Sequence, residues 1–360
     1  MRRHCCSLRF ALLVPAFLLV GAFGVVAAAQ ERGSHAVEQE LWSNPATWPD
    51  RKLPRAGDTV TIERGKHVLL DESPPSLGGL RIEGKLGFSD KADIELTTEW
   101  IMVHGELEIG TEAKPHKRKA TITLTDNVPG EDVDGMGDRG IMIAGGTLNL
   151  HGDRTNSWTK LAGTAAAGSA RIEVLNASGW RKGDVIVLAS TDFDSTQAEK
   201  RTIAAIAGNV IRLDQPLKYM HFGKITFGVD ERGEVGLLTR NIVIQASEDA
   251  ERSYFGGHIM AALAGSKMYV SGVELNRMGQ NMHLARYPIH WHLVGEGKGQ
   301  YIENSAIHDS YSRCVTVHGT NDVRVENNVT YNTVGHCFFL EDAVETGNQF
   351  IHNLGMMTKC

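Results

Sequence analysis

The sequence predicts an all-β fold, a right-handed parallel β-helix (a solenoid) that carries one small inserted β-barrel or sandwich. Three observations predict it. Short runs rich in Ile, Val, Leu and Thr alternate with Gly, Asn and Asp, with 39 glycines, 10 prolines and almost no long helical pattern. That texture is strand and turn. Two separate stretches of the chain repeat themselves, and the segment between them does not share their pattern.

The first repeat lies in the N-terminal half. Residues 80–88 read LRIEGKLGF, 101–109 read IMVHGELEI and 141–150 read IMIAGGTLNL, with Gly-x-Leu at Gly84, Gly105 and Gly146. The steps are 21 and 41 residues, one period and about two, which predicts Ala120–Leu124 (ATITL) as the intervening strand. Self-similarity at a fixed period marks stacked repeats. Glycine permits the bend between strands, and alternating apolar residues face inward.

The second repeat is near the C-terminus. Residues 302–318 (IENSAIHDSYSRCVTVH) align without gaps on 325–341 (VENNVTYNTVGHCFFLE), a 23-residue period. The alignment sets Glu303 over Glu326, Asn304 over Asn327, Cys314 over Cys337, Arg313 over His336 and His318 over Glu341. Asn tolerates left-handed turns and can bond along a ladder. One step further on, Phe350 falls under Val325, so the 23-residue spacing of Cys360 is a coincidence.

Between the repeats, 169–217 suggests a small antiparallel barrel or sandwich, with turns at Gly179-Trp180 and Gly183-Asp184. Rungs resume near 240–245 and 267–275. The expected organisation is solenoid over 38–160, insertion over 161–222 and solenoid over 223–360. The last repeat stops abruptly at Cys360, and an open solenoid end exposes strand edges, so the expectation is a longer solenoid cut short.

Residues 1–29 read as a signal peptide: Arg2, Arg3 and Arg9, then an apolar run to about Val26, then Ala27-Ala28-Ala29. The run is short for a membrane span, and no second one follows, so the mature chain is expected to be secreted without a span. In a bacterial host that means the periplasm or cell surface. The formal net charge of −6 becomes more negative once those three arginines are removed. An acidic exported chain is a poor nucleic-acid binder. Its mature cysteines, Cys314, Cys337 and Cys360, form no disulfide framework.

Histidine carries the chemistry. Seven of the 15 histidines fall between His283 and His352, and 286–292 read RYPIHWH. On a strand His290 and His292 share a face, and residues in neighbouring rungs lie about 4.8 Å apart. A column of His258, His292, His318 and Glu341, with His290 beside it, is expected. It suits an acid/base centre, or a divalent-metal site with His258, His290, His292 and His318 as candidate ligands, or plain hydrogen-bonding histidines. Glu341 and Asp342 are strand neighbours and should point apart, unless Asp342 sits at a bend. A carboxylate pair would then need Asp309 or Asp322 as the partner of Glu341. The basic run 114–119 (KPHKRK) reads as a solvated loop or a polyanion contact, and Asp58 and Asp71 as turn residues flanking a hairpin-like segment. Asn176 and Asn328 fit the glycosylation pattern, relevant in a eukaryotic host.

Several motifs together resemble one family. WSNPATWP (42–49), LPRAGDTVTI (53–62), VLLD (68–71), GGLRIEGKLGF and IMVHGELEIG resemble the eight-glycine extracellular domain of the cell-migration-inducing hyaluronan-binding protein, transmembrane protein two and fibrocystin-like proteins. GGHIM, MYVSGVEL, ARYPIHWHL, SAIHDSYSRCVTVHG and GHCFFLED resemble the β-helix of the first two. The resemblance covers nearly the whole mature chain and makes 38–160 the eight-glycine domain. It implies an extracellular protein that binds or depolymerises hyaluronan or a related acidic glycan. Carried over residue by residue, it puts Arg286, His290, His292, Arg313, His318, His336, Glu341 and Asp342 in the site. Its expected reading is glycosidic hydrolysis. Glu341 or Asp342 would be the acid, with His292 or His318 as base, and Arg286, Arg313, His290 and His336 would be on the substrate. A uronate lyase, a noncatalytic glycan-binding module and a metal-dependent structural repeat are the alternatives.

Overall fold

A computed structural model describes residues 39–359. The expected signal segment and Cys360 lie outside the described residues. Three parallel sheets of eight, nine and seven strands wrap around one interior, so the fold is a parallel β-helix. Sheet I runs from Thr59–Ile62 to Phe338–Leu340, sheet II from Gln39–Leu41 to Gln349–Ile351, and sheet III from Ile94–Thr98 to Leu354–Lys359. Each complete coil visits I, then II, then III. The chain is parallel throughout this stack because every coil returns in the same direction to pair with the one before.

Alternation builds the interior. In sheet I, Ile101 and Val103, Ile141 and Ile143, Ile259 and Ala261, Ile289 and Trp291, then Val315 and Val317 point inward into one continuous core. Each such fully buried aliphatic side chain contributes about 1.5–3 kcal/mol. At the N-terminal end Trp42 and Trp48 pack edge to face at 4.6 Å, and the Trp48 indole donates to the Trp42 carbonyl at 2.7 Å. The WSNPATWP motif thus covers that end of the core with two aromatic rings.

The glycine repeat has a steric cause. A Cβ on Gly105 would come within 1.8 Å of the Gly84 carbonyl oxygen, and one on Gly146 within 2.7 Å of that of Gly105. The three glycines stack at the corner between sheets I and II, where one backbone passes over the next. The strand expected between the second and third copies is not there. Glu106–Ile109 pairs directly with Thr147–His151, and Ala120–Leu124 belongs to sheet III. The 41-residue step is one coil with a long loop, 125–139, and not two coils.

The 23-residue register is as aligned: Glu303 pairs with Glu326, and Val325 with Phe350. Asn304 and Asn327 both adopt φ near 54° (54° and 53°), and the Asn327 amide donates to Asn304 Oδ1 at 2.8 Å. Asn328 is fully buried, bonded to Asn353 and the Ile302 carbonyl, so this face of the fold withholds it from glycosylation, whereas Asn176 is exposed. Thr59–Ile62 and His67–Leu70 lie in different parallel sheets, which replaces the expected hairpin. Asp58 caps a local turn through the Arg55 N–H, whereas Asp71 accepts from the N–H and hydroxyl of the distant Ser43 and so ties two segments together.

A six-stranded antiparallel sheet interrupts the third complete coil between its sheet II and sheet III strands, and runs from Trp158–Lys160 to Glu234–Leu237. It has its own core around Trp180, Ile186, Ile203 and Val235. It also packs on sheet III, with Val187 and Leu238 against Ala306, Val329 and Tyr331. Arg240 fixes the junction. It is fully buried and donates to Asn304 O, Leu237 O, Thr239 O and Ser157 Oγ, while burial draws its guanidinium pKa down to about 10.

Candidate functional site

The outer face of sheet I changes character along the solenoid. One column of outward residues reads Arg81, Met102, Met142, Met260, His290, Thr316, Phe339, and the next reads Ala144, Ala262, His292, His318. In the early coils this face is closed by Trp100, Met102, Met142 and the loop residues Val133 and Met136. Where that cover ends, histidine replaces methionine.

His290, His292 and His318 each bring one ring nitrogen to within 4.8 Å of the others. The two Nδ1 atoms of His292 and His318 are 3.0 Å apart. Directly after His292 the ladder bulges, with Leu293 at φ 54°, and a bulge re-aims the side chains beside it. Glu341 continues the column: its N–H bonds the Val317 carbonyl, and its Oε2 lies 3.6 Å from His318 Nδ1 and 3.8 Å from His290 Nε2. Its other oxygen accepts from the Tyr287 hydroxyl at 3.1 Å, and Arg313 donates to that same hydroxyl. The Arg313 guanidinium also lies over Tyr287 and Phe339, at 5.2 and 4.5 Å from the ring centres.

Burial sets the charge states. His290 is fully buried, and desolvation with the neighbouring imidazoles holds its pKa well below the usual histidine value. His292 is lowered by the same causes, burial first and then His318. Both are neutral at pH 7, the form that offers a lone pair. The far nitrogens face partners: His290 Nδ1 donates to the Ala285 carbonyl at 3.0 Å, and His318 Nε2 lies 2.9 Å from Asp342 Oδ2. Such outer partners fix the tautomer of metal-binding histidines. On the inner side, His290 Nε2 and Glu341 Oε2 are buried and have no hydrogen-bond partner. Three imidazole nitrogens with one orphaned carboxylate oxygen fit a divalent transition-metal ion.

The remaining sequence candidates fall into place around this cluster or away from it. His258 stands out of the column. It pairs with Gly140, four residues out of register with His292, whose neighbour below is Ala262. The long connection 277–288 caused the misalignment. The His258 ring is wholly buried, and desolvation draws its pKa down to about 3. Arg286 flanks the cluster, half-buried against Gly137 of the covering loop, close enough to lower His258 and His292 electrostatically. His336 is exposed and stacks on Phe339 at 5.3 Å, away from the imidazoles. The chain leaves the strand after Leu340, so Glu341 and Asp342 do not point apart: both reach His318, one from each side. Asp309 belongs to sheet III, and Asp322 sits at a corner against Gly347, so neither pairs with Glu341. In the basic run, His116 is buried, and Lys117 and Arg118 donate backbone N–H groups to Asp90. Sequence reasoning missed Tyr287 and Phe339, and the only trace of Tyr287 is its place between Arg286 and Pro288.

Comparison with known proteins gives this geometry a lineage. Residues 47–162 match the G8 domain family, and residues 254–360 match the CEMIP beta-helix family. This chain is a G8-domain β-helix protein. Mouse Fibrocystin-L is 37% identical over 89% of the chain, and protein rliB of Dictyostelium discoideum is 33% identical over 87%. The chain spans 9% of the first and 28% of the second. Among solved structures, the tailspike of Acinetobacter baumannii bacteriophage AP22, in complex with capsular saccharide, aligns with 74% of this chain and 53% of its own at 12% identity and a TM-score of 0.22. No helix among the described residues of this G8-domain protein is long and apolar enough to cross a membrane. All of its site residues lie within the CEMIP beta-helix match, and the covering loop lies within the G8 match.

Proposed function

We propose that this G8-domain protein is secreted and depolymerises an acidic, hyaluronan-like glycan by hydrolysis of its glycosidic bonds. The observation that carries the reading is the convergence of His290, His292, His318 and Glu341 on one outer face of the solenoid, flanked by Arg286 and Arg313. A glycan lying along sheet I meets the two arginines beside the cluster, and a guanidinium suits a uronate carboxylate. His292 is neutral and half-buried, so it takes a proton from the attacking water. Glu341, held by Tyr287, stabilises positive charge developing on the sugar ring or supplies the leaving group's proton. Asp342 acts through His318, with its carboxylate 2.9 Å from Nε2. A divalent ion held by His290, His292, His318 and Glu341 would supply an acidified water and an electrophile. The family resemblance, extended to the CEMIP beta-helix match, supports the substrate class.

The second reading, elimination beside the uronate carboxylate, is favoured by one observation. Glu341 and Asp342 both engage His318 and do not face each other across an open gap as a hydrolase pair does. Incubation with hyaluronan, chondroitin and bacterial uronate polymers, followed by size analysis, tests the activity. His292→Ala should lower the rate at least about 100-fold. Equal degradation by the variant removes His292 from the chemistry, and unchanged polymer size with retained binding leaves a lectin. Products that absorb in the ultraviolet identify elimination, because only that route leaves a double bond.

A further inference from the structure

A cleft of about 1010 Å³ lies on a different face of the molecule, between the inserted sheet and sheet III. Its floor is an ion network that the histidine cluster does not use. His308, 6% exposed, donates from Nδ1 to Asp309 Oδ2 at 2.9 Å and from Nε2 to Glu274 Oε1 at 3.1 Å. With both nitrogens donating, the ring is an imidazolium, and these two carboxylates hold its pKa up at about 9 against burial. Their own charges are used up in doing so. Glu274 Oε2 also accepts the Arg240 N–H at 2.9 Å, and Asp309 takes Lys200 Nζ at 3.3 Å and the Asn332 amide. Asp309 and Asn332 occupy the same position in successive rungs, at left-handed φ of 50° and 54°.

What faces the cleft is mixed in charge and not fully satisfied: Glu251 also lines it, with Arg277 at 3.7 Å as its counter-charge. Asn332 Oδ1 is buried without a hydrogen-bond partner. Lys200, from the inserted sheet, keeps 45% of its side chain exposed, and Lys359 also lines the cleft. Tyr254 and Tyr311 meet edge to face at 5.5 Å and form an aromatic wall, with Tyr254 53% exposed. An orphaned acceptor, two ammonium groups and an aromatic wall in one cleft match a ring that offers hydroxyl donors, a carboxylate and an apolar face.

We propose that this cleft is a second carbohydrate site, one that takes an acidic sugar unit of an oligosaccharide. A sugar hydroxyl donates to Asn332 Oδ1, which ends the cost of a buried unpaired acceptor. The sugar carboxylate pairs with Lys200, and the ring's C–H face lies on Tyr254. The His308 network holds Asp309 and Asn332 in place and does not itself touch the sugar. The site rests on its own side chains, so it stands whether the histidine cluster hydrolyses, eliminates or only binds.

Calorimetric titration of the full chain with a glucuronate-containing hexasaccharide tests it, with an uncharged N-acetylglucosamine hexasaccharide as the second probe. Two sites per chain are expected for the acidic probe. Lys200→Ala and Tyr254→Ala, both at exposed positions, should each weaken one of them about tenfold. His292→Ala should leave that site unchanged, and the uncharged probe should bind it about tenfold more weakly. The proposal is overturned by no binding, by a single site that responds to His292→Ala alone, or by equal binding of both probes. Loss of the other site in His292→Ala, with the cleft intact, reports on the histidine cluster alone.

Discussion

At the residue scale, the site is a set of groups kept neutral or fixed by their surroundings. Tyr287 is a positioning residue: its hydroxyl donates to Glu341 and accepts from Arg313. Tyr287→Phe should leave the fold intact and lower depolymerisation about tenfold, because a displaced catalytic group costs rate without costing stability. Unchanged kinetics would show that Glu341 is held by other means. His258 and His290 make a second prediction through pH. Both have folded pKa values below the unfolded value near 6.5, His258 at about 3. Between those values the unfolded chain binds the proton and the folded chain does not, so stability rises with pH there and falls on acidification. The loss approaches about 1.4 kcal/mol per pH unit for each group. Thermal melts from pH 7 to 4 should show this slope, and His258→Phe should flatten it, since neither ring nitrogen of His258 meets a partner in hydrogen-bond geometry. The His318–Glu341 step was legible in the sequence because the 23-residue alignment has no gap, whereas His292, in a longer coil, needed an adjusted register to stack on His318. His258 was misplaced because loop length is invisible to a pattern of apolar residues.

At the scale of elements, the corner glycines are the most exacting positions. Gly105→Ala puts a methyl group into the Gly84 carbonyl, a backbone atom with no side-chain freedom to yield. The coil must open there, and the expected loss is at least about 3 kcal/mol, read as a lower urea midpoint. An unaltered midpoint would mean that the corner relaxes freely. The Gly-x-Leu repeat announced these stacked corners directly. The third sheet was harder to see. Ala120–Leu124 has the same composition as the strands of sheets I and II, and only the pairing partners tell them apart. The bend after Leu340 that turns both Glu341 and Asp342 toward His318 was visible only as an exception to the expected alternation, which holds only inside a strand.

At the scale of the whole molecule, metal binding and folding are linked. A divalent ion that binds the folded chain at His290, His292 and His318 stabilises it by about 2.7 kcal/mol at one hundred times its dissociation constant. Added zinc should therefore raise the melting temperature of wild type at pH 7.5 and not that of His318→Ala. The rise should disappear by about pH 5 as protons compete for the imidazoles. An equal shift in both proteins would place the binding elsewhere. The two solenoid stretches, the antiparallel texture of the inserted sheet and the histidine-bearing strand were all readable in advance. The cleft over His308 was not, since it is assembled from an inserted sheet and four separate coils that no local pattern connects.

The replacement of methionine by histidine along one face has a consequence for how the chain tolerates insertion and deletion. His290 and His292 alternate with Ile289 and Trp291, which sit in the core. Losing one residue within that strand would turn the imidazoles into the apolar interior and the indole out to solvent. Losing one residue from the connection 277–288 only shortens a loop. The hydrophobic residues thus act as a reading frame for the polar ones: a frameshift of the face is rejected by the core before the site is ever assembled.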